Sequence, residues 1–327
     1  MQTNFEEIIK SALEEYSKTL FSDTSQANNF FMKYGIGNTT LEMDMPFERF
    51  LYYEFFLIEL MNSDYAKYKR MHKGIPFYFL AWLAFDFRNY EKALYYIDAA
   101  ISEDVKNAEE NPFSLPASNF LLLNPKEQVA KRTIEIIRST LDEELSRFNA
   151  ISSETIQSIE VLNSHFVKPL LNKPRNRTII SAFYVFLLEY SERQKEIRMR
   201  STEGGSIAPF INHLFSGALI FESILKSLFP LKDDHTSVQT LGDIFITSSF
   251  LKLYPADIST SAFSFKNILA GVIDESLLTA FSITSKIRNT TGHNLIWDDT
   301  FADPINYRTL FQQEVNSILY IVNKSFL

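Results

Sequence analysis

The chain holds 327 residues, 46% hydrophobic and 22% charged, a globular balance that excludes wholesale disorder. A formal net charge of −8 excludes a simple polycationic coat for nucleic acid, and the absence of cysteine excludes disulfides, thiol nucleophiles, iron–sulfur clusters and thiolate zinc sites. Against 9 glycines and 11 prolines stand 30 phenylalanines and 15 tyrosines, which favours a large helical core over a turn-rich β protein.

The length suits two domains. Phe5, Ile8, Ile9 and Leu13 keep helical spacing. Residues 20–46, polar and carrying Asn28, Asn29, Gly35 and Gly37, read as a loop, and Pro46 opens a helix through Leu60. Residues 76–104 read as two short amphipathic helices meeting at Arg88-Asn89. Leu80, Tyr90, Ala93, Ile97, Ala100 and Asp104 fall where a tetratricopeptide repeat wants large, aromatic, small and acidic residues, but no second copy is evident at the period of about 34 residues. Residues 105–124 read as a loop.

Val129, Ile134, Ile137, Leu141, Leu145 and Phe148 then form one helical stripe, and Ile156, Ile159, Leu162 and Phe166 another. The segment KPLLNKPRNR, 168–177, carries two prolines and four basic residues, so the join is expected there: a helical regulatory or interaction domain over 1–170 and a second domain over 171–327. A helix from about Thr178 to Arg200 starts apolar and ends charged. Glu203-Gly204-Gly205-Ser206 breaks it, and a long helix runs from Ile207 to Pro230. Short helical pieces occupy 231–262, a helix covers Ser276 to Arg288, and a last one has Asp303 as cap and Pro304 in its first turn. No sheet pattern emerges, so the expected class is all-α.

The start, MQTNFEEIIK, lacks the basic and apolar regions of a secretory leader, and Thr178–Tyr190, read as the longest apolar run, is too short to span a bilayer. A cytoplasmic chain with no membrane part is expected. The first 150 residues are acidic, while Lys168 to Arg200 is locally basic. Arg193, Lys195, Arg198 and Arg200 there offer a weak phosphate-binding stretch, equally readable as a solvated helix end.

No phosphate-cradling GxxxxGK[ST], no GxGxxG, no HExxH and no GxSxG occurs, and the histidines at 72, 165, 213, 235 and 293 are scattered. A tight transition-metal site is therefore not expected, and no cofactor is implied. One segment stands apart: Arg288-Asn289-Thr290-Thr291-Gly292-His293. Arg288 sits on or beside the apolar stripe of its helix. Thr290, Thr291 and Gly292 are poor helix formers, so His293 falls just past a break. A guanidinium grips phosphate bidentately, and an imidazole moves protons near neutral pH.

This R-N-x3-H segment resembles the signature of the HEPN superfamily (higher eukaryotes and prokaryotes nucleotide-binding). The helix reading Phe221-Glu222-Ser223-Ile224-Leu225-Lys226 and the Thr240-Leu241-Gly242 element resemble that family's surroundings of the motif, over roughly 178–327. The resemblance implies a helical bundle acting as a metal-independent endoribonuclease. Two copies of the motif would meet in one cleft of a homodimer. Arg288 would bind the scissile phosphate, His293 would serve as general base or acid, Asn289 would support either, and Glu222 would hold Arg288 from behind. The products implied are a 2′,3′-cyclic phosphate and a 5′-hydroxyl, the partner is RNA, and the biological setting is that of a toxin or phage-defence effector. Some toxin members carry a tyrosine two residues past the histidine; here Leu295 stands there. The alternative is a dimeric HEPN-like module that binds RNA, nucleotide or protein without cutting, the first half docking a regulatory protein or ligand.

Overall fold

The computed structural model describes residues 5–37, 46–107, 114–126, 131–152, 155–171, 174–199, 206–255, 258, 276–291 and 304–326. Among the described residues the regular structure is helical, apart from one isolated antiparallel bridge between Leu231 and Ser237. The class is all-α. Two compact units divide the chain, Met1–Ile134 and Glu135–Leu327.

The first unit opens with α1 (Phe5–Lys18) and α2 (Thr24–Lys33). The second of these lies inside the stretch expected as a loop. Its signal is short: the Asp23 carboxylate accepts the Gln26 N–H as an N-cap, and Ala27, Phe30 and Phe31 bury at i, i+3 and i+4. Next come α3 (Pro46–Ser63), α4 (Tyr65–Arg70, capped by Asp64), α5 (Gly74–Asp86), α6 (Tyr90–Asn107) and α7 (Pro116–Leu121). The expected hairpin is α5–α6. Arg88 turns the chain at φ 63°, the Asn89 N–H reaches back to Ala84 O, and fully buried Ala93 and Ala100 let the helices close up. The presumed loop over 105–124 is shorter than expected, because α6 runs on to Asn107 and α7 starts at Pro116.

The second unit contains most of α8 (Lys131–Ile151), then α9 (Ile159–Leu162), a π-turn (Asn163–Val167) and α10 (Lys168–Leu171). After these follow α11 (Pro174–Met199), α12 (Ala208–Leu228), α13 (Leu241–Phe245), α14 (Ser248–Leu253), α15 (Leu277–Thr291) and α16 (Pro304–Phe326). At the centre α12 packs on α11, α15 and α16. It is also long and apolar enough, by composition, to cross a membrane, a property the sequence reading did not give it; 56% of that apolar stretch is buried inside the protein.

The units part at Ile134/Glu135 rather than at 170/171. The reason lies in α8. Arg147 Nη2 donates to Asn316 Oδ1 at 2.7 Å and to Gln312 O at 3.2 Å, and Phe148 meets Tyr320 edge-on at 4.8 Å. These contacts tie α8 to α16. The proline-rich 168–177 marks only the break between α10 and α11 within one unit.

Candidate functional site

The body of α15 is enclosed. Thr279, Ala280, Phe281, Ser282, Ile283, Thr284, Ser285 and Ile287 are all buried, so between exposed Leu278 and half-buried Lys286 the helix has no solvent face. Small hydroxyl residues make this possible, since Thr284 Oγ1 and Ser317 Oγ on α16 pair at 2.7 Å. Arg288 leaves this frame with its side chain 34% exposed, and Asn289 beside it is exposed.

Arg288 Nε donates to Glu222 Oε2 at 2.7 Å, and Lys226 Nζ pairs with Glu222 Oε1, also at 2.7 Å. The Glu222 side chain is only 5% exposed. Burial pushes its carboxyl upward, but the hydrogen bonds from Lys226 and Arg288 outweigh that and hold it below its ordinary value. A buried carboxylate thus grips Arg288 by Nε and leaves the outer guanidinium nitrogens outside that pair. The corner carries two cations on one anion, at the junction of α12 and α15.

Of the residues expected at the site, Arg288 and Glu222 come together here, and Asn289 follows Arg288 in the chain with its side chain exposed. His293 and Arg200 lie outside the described residues. Arg193, Lys195 and Arg198 lie on the last turns of α11 with acidic neighbours interleaved. Arg193 Nη1 donates to both oxygens of Glu196 at 2.7 Å, and Lys195 pairs with Glu192 at 2.7 Å. Two of these cations are therefore already neutralised locally.

His213 is structural. Phe186 O can only accept, so Nε2 carries the hydrogen at 2.7 Å, and Nδ1 accepts from Tyr307 Oη at 2.8 Å. Burial lowers its pKa to about 3. Sequence reasoning missed two other groups. Glu314 on α16 is fully buried, neither carboxyl oxygen has a hydrogen-bond partner, and burial drives its pKa well upward, so it is a neutral acid. In the first unit, His72 Nε2 sits 3.1 Å from Asp104 Oδ1. The pair spans the α5–α6 hairpin, and no local spacing announces it.

Among the described residues no group of three or more His, Asp or Glu is placed to hold a metal ion. No family model, no curated protein and no solved structure matches the chain.

Proposed function

We propose that the chain is a metal-independent endoribonuclease whose reacting groups are Arg288 and His293, assisted by Asn289. The observation that carries this reading is the half-exposed Arg288, oriented through Nε by buried Glu222 at the end of a rigid helix, five residues ahead of a histidine. RNA supplies its own nucleophile, the 2′-hydroxyl, so positioned charge and proton transfer suffice. The 2′-oxygen attacks phosphorus and loses its proton to a base; the bond to the 5′-oxygen breaks and that oxygen takes a proton from an acid. His293 supplies base or acid, and the partner copy's motif in a homodimer supplies the other role. Arg288 neutralises the charge that builds on the phosphoryl oxygens. A toxin or phage-defence effector of the cytoplasm is the setting that suits such an enzyme, by analogy with the superfamily it resembles.

The second reading is a HEPN-like dimeric module that binds without cutting. The Glu222–Arg288 pair favours it equally, because a buried carboxylate holding an arginine also serves as plain structure. Cleavage of a mixed RNA pool in EDTA separates the two. The nuclease yields cyclic-phosphate ends, with activity lost in both Arg288→Ala and His293→Ala. Intact RNA with a folded dimeric parent supports the binding module, and cleavage surviving both substitutions places the chemistry elsewhere.

A further inference from the structure

The outer face of α3 carries Phe47, Leu51, Phe55 and Ile58, which remain 53%, 48%, 52% and 46% exposed. Steps of four, four and three residues set them in one line along the helix. The opposite face already lies in the core, where Phe50, Tyr53, Phe56, Leu57 and Leu60 are buried. Single exposed apolar residues are ordinary, whereas four in line mark a contact surface. Carboxylates border the line. At 3.6 residues per turn, Glu48 and Glu59 fall along one edge and Glu54 along the other. Glu54 is neutralised by Lys92 Nζ at 2.8 Å and also accepts from Tyr96 Oη at 2.5 Å. Among the described residues, no ion pair holds Glu48 or Glu59. On their edge Phe5 meets Tyr52 at 5.0 Å, which brings the first turn of α1, with exposed Glu6 and Glu7, alongside.

These features select the occupant. A second copy of α3 suits the face poorly. Antiparallel self-pairing would bring one copy's Glu48 against the other's Glu59, and parallel pairing would set each glutamate against itself. The four side chains also offer only on the order of 400 Å² of apolar surface, short of the roughly 800 Å² per partner in a stable dimer. A narrow apolar line with an acidic edge complements a single helix whose own apolar face is bordered by lysine or arginine.

We propose that α3 docks a basic amphipathic helix of a partner protein on Phe47, Leu51, Phe55 and Ile58, with Glu48 and Glu59 matching its cations. The surface lies in the first unit and is independent of any nuclease activity in the second. The probe is a fluorescent, end-capped helical peptide of about 18 residues, the length of α3, with leucine on one face and lysine on the rest. It is titrated with the full chain and followed by anisotropy. Two companion peptides carry glutamate in place of lysine, or alanine in place of leucine. The leucine–lysine peptide is expected to bind, and each companion to bind weaker by about tenfold or more. Phe55→Gln, at a half-exposed position, is expected to weaken binding about tenfold with the thermal midpoint unchanged. Glu48→Lys combined with Glu59→Lys is expected to turn the preference over to the leucine–glutamate peptide. Equal binding of the lysine and glutamate peptides, equal binding of the alanine peptide, indifference to Phe55→Gln, or no binding by any of the three overturns the proposal. So does a dimer in sedimentation velocity that Phe55→Gln dissolves, which assigns the face to a second copy, or capture by phosphatidylcholine vesicles, which assigns it to lipid. If Phe55→Gln fails to fold, the ratios among the three peptides on the parent decide alone.

Discussion

Glu222 faces two cations from a nearly water-free position, so its charge is essential to the corner it holds. Glu222→Gln keeps an acceptor for Arg288 Nε and removes the charge. We expect it to cost about 1–3 kcal/mol in urea unfolding, because a charged hydrogen bond becomes a neutral one and Lys226 loses its anion. If Arg288 also works on phosphate, RNA cleavage falls by more than this stability change explains. Glu314 presents the opposite case. It is a carboxyl with no partner, kept neutral by burial alone. Of the site, motif spacing made Arg288 and Asn289 legible, because it concerns neighbours along one helix, whereas Glu222, 66 residues away, was reached only through the family resemblance. Neither could show Glu314, whose isolation depends on what other helices, α12 with Gly217 among them, place around it.

At the scale of elements, close packing of α12 decides what α16 can carry. A Cβ at Gly217 would lie 2.6 Å from both Glu314 Oε2 and the Phe186 ring. Gly217→Ala should therefore destabilise by about 1–3 kcal/mol despite its better helix propensity, read as a lower thermal midpoint. The reading of helices from periodicity succeeded where one face is buried, as along α8 with Ile134, Ile137, Leu141, Leu145 and Phe148. It failed at α2, where ten residues give too few turns for a stripe to stand out from Asn and Gln. It also failed to foresee that most of α15 is buried, since Ser282, Thr284 and Ser285 look like solvent-facing residues, yet all three are enclosed and only the Thr284 hydroxyl has a hydrogen-bond partner there. The domain join went to the prolines at 168–177 because composition marks helix breaks, whereas the contacts divide the chain within α8, most of which packs with the second unit.

For the whole molecule, two buried groups set the pH range of stability. His213 has a folded pKa of about 3 against an ordinary 6.5, so the unfolded chain binds the extra proton and stability falls as pH drops from 6.5 towards 3. Glu314 is raised above its ordinary 4.5, so the folded chain keeps the proton and stability falls as pH rises past 4.5. Between 4.5 and 6.5 the two slopes oppose each other. Thermal midpoints should thus show a plateau across that window, falling on both sides, and Glu314→Met should remove the alkaline fall while raising stability at neutral pH. A fragment beginning at Lys131 should give a cooperative melt, whereas one beginning at residue 171 should not, because it lacks Arg147 and Phe148 against α16. The enclosure of α15 has one more consequence. Its backbone amides from Ala280 to Ser285 all belong to buried residues, so they are expected in the slowest class in hydrogen exchange. On that expectation Arg288, paired with buried Glu222, stands at the end of the segment that opens last.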